Sequence, residues 1–324
     1  MRRKAGRPRV PPPLDLRRVR TIPLGRRASK VAAAALGRPV ARGLTVRALV
    51  DGLPDILAAR DLRTTIDRIA RAIRRGRPVV LGMGAHPIKV GLAPLIVDLV
   101  RRERLAAIAV NGACLVHDFE MAWGGRTSED VGPGLDRGLF GMAAETGTFV
   151  NRAAREGVAR GLGLAAAVGE AIRRARLPHR RLSILAAAVD AGIPVTAHVA
   201  IGTDIVHMHP DADGAAIGAG SLRDFRQLAA VVARLEGGVY LNLGSAVVMP
   251  EVFVKALNLA RNVGHRVRDL TTVDMDFTRH YRPGVNVVGR PTAAGGRGIA
   301  LTGHHEIMFP LLWAAVEDAL ARRR

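Results

Sequence analysis

The sequence predicts an α/β fold, a parallel sheet flanked by helices, on three observations. Residues 78–82 (PVVLG) form a short apolar run ending in Gly82, with Gly84 close behind, ahead of a helical pattern. Residues 105–110 (LAAIAV) repeat the arrangement and end in NGACLVHDFEMA. Residues 239–243 (VYLNL) run into Gly244, Ser245 and Ala246, after which Val252, Phe253, Ala256, Leu257 and Ala260 recur at helical spacing. Successive strand, turn and helix units imply a parallel, Rossmann-like sheet. Such sheets hold ligands at the carboxyl ends of their strands. The first glycine turn is a weak dinucleotide fingerprint, because the third glycine of G-x-G-x-x-G arrives only at Gly91.

The remaining elements follow in order. Residues 1–30 are rich in Arg and Pro and are expected to form a disordered arm, with 31–324 as a single α/β domain. Residues 44–75 hold two helical patterns, the second with Ile66, Ile69, Ala70 and Ile73 on one face. Residues 124–150 are glycine-rich and read as a long surface excursion, and a helical region follows to about 191. Residues 194–198 (PVTAH) form another strand leading into VAIGTDIVHMHPDADG. Residues 221–235 read as an amphipathic helix capped by Ser221. Pro250 stands as the first residue of the helix after Ala246, with Glu251 in its first turn. Residues 267–276 read as a strand, 282–300 as loop and 307–323 as a terminal helix.

Composition narrows the classes. The chain of 324 residues is long enough for a large core, but with 3% aromatics that core must be built from Ala, Val, Leu and Ile. Of the net charge of +21, residues 1–50 supply +13. The arm is therefore a place for RNA or an anionic surface to bind, or a solvated extension without a partner. It holds no aromatic residue to stack on bases. Arginine is abundant while Lys4, Lys30, Lys89 and Lys255 are the only lysines, the usage of a GC-rich bacterial genome. A single cysteine, Cys114, excludes an intrachain disulfide. No apolar run reaches membrane-spanning length and no secretory signal pattern opens the chain, so a cytoplasmic protein is expected.

Several residues carry chemistry. His198, Asp204, His207, His209, Asp211 and Asp213 fall within sixteen residues. Mixed His and Asp suit Zn²⁺ or Mn²⁺, and a metal-bound water would make a hydrolase. Asp274, Asp276 and the pair His304-His305 add donors of the same kind. The plainer reading is a polar pocket without metal. Cys114 follows a strand in a glycine turn, where it is either a thiolate nucleophile or a small core residue. Lys89 is placed to meet a phosphate or to lie in solvent. No elbow motif for a serine nucleophile is present.

Five blocks, in order over roughly residues 60–320, resemble the deoxyhypusine synthase family. VVLGMGAHPIKVGLAPLIVDLV resembles the strand and turn that open the family's nucleotide site. AVNGACLVHDFE resembles its T-A-G-G-x-E-E-D block, with His117 in place of a cofactor-binding glutamate and Asp118 kept. GIPVTAHVAIGTDIVHMHP resembles the block ending T-D-G-S-L-G-D, matching at Thr203 and Asp204. LGSAVVMPE resembles GGG-x-x-K-H-H, with Met249 at the lysine and Pro250 and Glu251 at the histidines. Gly289-Arg290-Pro291 and Phe309-Pro310-Leu311-Leu312 match the closing blocks.

The resemblance implies an NAD-binding fold of the deoxyhypusine synthase type and a homotetramer. It places the cofactor on Gly84, Asn111, Gly112, Ala113, His117, Thr203 and Asp204. His209 falls where a substrate-amine carboxylate belongs, and His209, Glu251 and Asp118 become the candidate catalytic residues. The implied activity is oxidation of, or alkylamine transfer from, a polyamine-like amine. Deoxyhypusine synthesis itself is not expected, because a lysine imine cannot form at Met249. The alternatives are a metal-dependent hydrolase on the 198–213 cluster and a non-catalytic nucleotide-binding scaffold.

Overall fold

The structure, a computed structural model, describes residues 10, 11 and 13–321. Residues 1–9 and 12 of the expected arm, and residues 322–324, lie outside the described residues. Among the described residues from 10 to 36 the chain makes only single 3-10 turns, at Leu16–Arg18, Leu24–Arg26 and Ala33–Ala35, none with a buried residue. It joins the domain where Asp55 N donates to Ala35 O and Arg38 N to Gly52 O.

The elements are α1 (Val46–Gly52), α2 (Leu57–Arg74), β1 (Val79–Met83), α3 (His86–Lys89), α4 (Ala93–Arg101), β2 (Ala107–Asn111), α5 (Gly112–Gly124), α6 (Val131–Leu135), α7 (Ala144–Ala159), α8 (Leu164–Arg174), α9 (Ile184–Asp190), β3 (Val195–His198), α10 (Gly214–Val232), β4 (Val239–Leu243), α11 (Val248–Asn262), β5 (Thr271–Asp276), α12 (Tyr281–Pro283), β6 (Arg297–Thr302) and α13 (His305–Ala321). All strand pairings are parallel and the order is β3-β2-β1-β4-β5-β6. The chain builds outward from β1 to β3, then returns to place β4 beside β1. The carboxyl ends of β1 and β4 therefore flank the crevice where strand order reverses, the ligand position of doubly wound sheets.

Strand residues alternate between two cores. Val79, Leu81, Met83, Ile108, Val110, Leu241 and Val273 face a large core closed by α2, α4, α5, α9 and α13. Val80, Ala107, Ala109 and Tyr240 face a smaller one under α10 and α11. There Tyr240 stacks on Phe253 with ring centroids 3.8 Å apart, an aromatic pairing worth about 0.5–1.5 kcal/mol beyond its buried area.

The structure departs from the sequence reading in five places. Residues 124–150, read as a surface excursion, hold α6 and the first turns of α7. The helix after β3 begins at Gly214, capped by Asp213, whose Oδ1 accepts from Ala215 N and Ala216 N. Ser221 lies inside that helix. Three glycines in its first half hide the helical pattern by lowering propensity. Pro250 is the third residue of α11, not the first. The strand expected from 267 starts at Thr271, because Arg268 N and Asp269 N turn aside to Glu236 Oε2. Residues 282–300, expected as loop, contain the beginning of β6. It is an edge strand with only Ile299 and Leu301 turned inward, and the glycines before it blur the alternation.

β3, the opposite edge, is covered by α10. The buried Asp224 carboxylate accepts from Ala197 N (2.8 Å) and Ala165 N (3.1 Å), and Val199 N donates to Ser221 Oγ at 3.4 Å. Burial pushes the Asp224 carboxyl up to about 7, against the pull of these N–H donors.

Candidate functional site

Two polar clusters form at the carboxyl edge of the sheet, and α3 supplies one side chain to each. Lys89 faces the β2–β3 side and His86 the β4–β6 side.

On the first side, a cavity of about 200 Å³ is lined by Lys89, Ala113, His117, Glu120, Glu129, Thr203 and Asp204, among others. These come from the segments after β1, β2 and β3. Asn111 caps α5, its side chain accepting from Cys114 N at 3.3 Å. Asp204 lies over the first residue of that helix. A Cβ on Gly112 would stand 1.9 Å from Asp204 Oδ2, so only glycine admits the carboxylate. Asp204 Oδ2 is buried and has no hydrogen-bond partner. Burial raises its pKa from the ordinary value, opposed by His207. His207 Nδ1 accepts from Gly202 N and Asp204 N, and its Nε2 is 4.0 Å from Asp204 Oδ2. His117 Nδ1 meets Thr127 Oγ1 at 2.6 Å, and Thr127 in turn binds Glu120. Burial lowers the His117 pKa, Glu120 works against it and Lys89 adds to it. Lys89 makes no ion pair with any described residue.

On the second side, the turns after β1 and β4 touch. Gly84 N donates to Leu243 O at 3.1 Å, and a Cβ on Gly84 would fall 2.3 Å from Gly244 O. Gly244 has φ +61°, a conformation glycine adopts at little cost. Asn242 Nδ2 holds the turn through Ser245 O (2.9 Å) and Asp274 Oδ1 (2.8 Å). Against Gly244 lies the ring of His305, 1% exposed, where a Cβ would meet Cε1 at 2.6 Å. His305 Nδ1 is 2.8 Å from His86 Nδ1, and its Nε2 is 3.6 Å from Asp276 Oδ1. Phe277 packs beside both rings, with centroids 5.4 and 5.7 Å away.

The seven expected cofactor residues thus divide. Ala113, His117, Thr203 and Asp204 line the cavity, Asn111 and Gly112 form the start of α5 beside it, and Gly84 belongs to the turn between β1 and β4. The three expected catalytic residues are not brought together. Asp118 is fully buried and caps α9, accepting from Ser183 Oγ, Ile184 N and Leu185 N. Burial raises its pKa to about 6. His209 Nε2 donates to Gly141 O at 2.8 Å, and its ring packs on Gly147. Glu251 is half-exposed and takes Asn286, Arg282 and Lys255 as partners.

Met249 requires a correction. It is fully buried in the smaller core, so the residue there says nothing about a nucleophile in the cleft. Cys114 is buried too, and burial drives its thiol far above the thiolate range, which removes the nucleophile reading. The 198–213 cluster disperses. His198 meets Thr196 Oγ1 and is held neutral by burial, its pKa lowered to about 4, while Asp213 caps α10. Among the described residues no three His, Cys, Asp or Glu side chains gather in metal-binding geometry. The sequence reading missed His86 altogether and saw Asp276 and His305 only as metal donors. Their position at a strand end, for Asp276, or three residues past one, for His86 and His305, was the available signal.

No protein-family model matches the chain, and neither does any curated protein. Solved structures match at the level of fold. A candidate deoxyhypusine synthase from Entamoeba histolytica aligns at TM-score 0.51 and 13% identity, over 89% of this chain and 98% of that one. AgrE, in a ternary complex with ornithine and NAD⁺, aligns at 0.52 and 17%, over 82% and 34%. ArgZ, an arginine dihydrolase from the ornithine–ammonia cycle in cyanobacteria, aligns at 0.51 and 15%, over 81% and 32%. The chain spans about a third of the length of ArgZ and AgrE. The fold is that of the deoxyhypusine synthase type, shared with these enzymes.

Proposed function

We propose that the protein binds a nicotinamide dinucleotide at the carboxyl edge of the sheet and oxidises an amine-bearing substrate. The observation that carries this is the buried, unpartnered Asp204 Oδ2 in a cavity reached by Lys89 and Thr203. A carboxylate so placed suits the paired hydroxyls of a ribose, and a lone cation suits a phosphate. The residues present fit the cofactor in this sense. A cavity of about 200 Å³ takes one nucleoside-sized part of it. When bound, the cofactor supplies a hydride acceptor.

An amine is the favoured substrate because the cleft is acidic within a basic chain. Glu120, Glu129 and Asp204 line the cavity and Asp276 lies across α3, against a net charge of +21. AgrE with ornithine and NAD⁺, and the deoxyhypusine synthase fold, support the same reading. A homotetramer belongs to it, and sedimentation equilibrium measures that directly.

Calorimetric titration of the purified protein with NAD⁺ tests the proposal. Micromolar binding, clearly weakened in Asp204→Ala and kept in folded Met249→Ala, is the expected result. No heat from the wild type at millimolar NAD⁺ would refute it.

A further inference from the structure

We infer that His86 is the proton acceptor of this site, held as a base by His305 and, through it, by Asp276. The proton's source rests on the amine oxidation proposed above; the arrangement of the imidazoles does not.

The inference follows from counting protons. Two imidazole nitrogens 2.8 Å apart must share one hydrogen, since two would clash and none would leave two lone pairs opposed. Only two neutral arrangements exist. In the first, His305 donates from Nδ1, which leaves its Nε2 lone pair facing the Asp276 carboxylate at 3.6 Å. That nitrogen is buried without a hydrogen-bond partner, so nothing offsets the repulsion. In the second, His305 carries its hydrogen on Nε2, toward Asp276, and accepts at Nδ1 from His86. Coulomb's law selects the second. His86 then bears its hydrogen on Nδ1 and keeps a bare lone pair on Nε2. Which nitrogen is protonated is set by the hydrogen bond the other one makes.

The surroundings keep this order. Asp276 Oδ1 is anchored by Phe277 N at 2.8 Å. His280 Nε2 stands 4.0 Å from Asp276 Oδ2, and Arg279 and Asp274 belong to the same charged surroundings. Around His305, the Met275 carbonyl, Asp276 and Glu306 favour a proton, while burial and His86 oppose one. His304 lies on the outer side, stacked on Phe277. His86 is half-buried and His305 wholly buried, so the chain of donors runs from the cleft inward. Its location is the touching turns of β1 and β4, where strand order reverses.

The arrangement answers a chemical need. An amine arrives as an ammonium ion with no lone pair and cannot release hydride. His86 Nε2 takes one N–H proton. The freed nitrogen pair can then form the C=N bond; a nicotinamide dinucleotide held by Lys89, Thr203 and Asp204 would supply the acceptor for the hydride of the adjacent carbon. The product is an iminium, and the proton stays on the imidazole pair. His86 can then pass its Nδ1 hydrogen to His305, which brings the positive charge beside Asp276. His86 touches the substrate; His305 and Asp276 are positioning residues.

Histidine-selective ¹⁵N NMR of the full chain reads the tautomers without cofactor or substrate. Neutral histidine in water prefers hydrogen on Nε2. The expected wild-type spectrum shows the opposite for His86, hydrogen on Nδ1 and a bare Nε2, with His305 protonated on Nε2. Asp276→Asn should mix the two arrangements. His305→Asn, a second variant in case the first does not fold, should return His86 to the Nε2–H form. A wild-type His86 already in the Nε2–H form would overturn the inference. NAD⁺ added to the same sample separates the two claims. Correct tautomers without NAD⁺ binding would remove the redox reading and leave the relay, whereas NAD⁺ binding with His86 in the other tautomer would do the reverse.

Discussion

The two sides of α3 use similar residues for different ends. Toward β2 and β3, histidine and carboxylate are tied to backbone or neighbours, and one buried carboxylate oxygen is left without a partner. Toward β4–β6, two imidazoles and a carboxylate are lined up end to end. On the readings proposed above, the first arrangement would meet a ligand's hydroxyls and the second would carry a proton. His86 and Lys89 are three residues apart on one short helix, so one turn of chain would serve both.

Substitutions should separate the sides. His86→Gln is expected to lower turnover of an amine that reduces NAD⁺ by roughly 10²–10⁴-fold, the usual scale of a general base, with NAD⁺ affinity unchanged. Equal losses in affinity and turnover would mean the two sides are not distinct. Met249→Ala touches neither side. It should cost about 2–5 kcal/mol of stability by opening a core cavity, visible in urea melts, and leave the NAD⁺ dissociation constant unaltered. Asp204→Ala should weaken NAD⁺ by about 1.5–3 kcal/mol, on the scale of a charged hydrogen bond, and leave the His86 tautomer in place. Lys89→Ala should weaken it less, roughly threefold to tenfold, with the loss shrinking as salt rises. A salt-independent loss would take Lys89 away from the phosphate.

Acidity offers a further comparison. The folded-state pKa of Asp224, about 7, lies above its ordinary value of 3.8. The folded protein therefore holds that proton longer than the unfolded chain. The group's contribution to stability is full below the ordinary value and is lost as pH rises through about 7. Asp224→Asn should flatten that part of the stability profile, measured by denaturant midpoints across this range. An unchanged slope would show that Asp224 ionises as freely in the fold as outside it.

The layout was largely legible in the sequence, because β1, β2 and β4 are short buried apolar runs followed by small residues. Part of the cavity lining was legible too, since Thr203, Asp204 and the turn after β2 stand out as local motifs. The relay was not. His86, Asp276 and His305 are far apart in sequence and meet only because β1, β4, β5 and β6 lie in that spatial order. Met249 shows the opposite case. Its match to a motif suggested a place in the cleft, although α11 turns that side chain into the core. The short spacing of His207 and His209 likewise suggested convergence, but a 3-10 turn sends one to the Asp204 backbone and the other to Gly141.

The side chains of α10 laid against β3 have a consequence for self-association. An outer strand presents alternate N–H groups on which another chain can template itself. Here Ala197 N is taken by Asp224 and Val199 N by Ser221, so a helix supplies the acceptors a seventh strand would have offered. Growth of the sheet in that direction is stopped by two side chains, and the stop is built into the monomer.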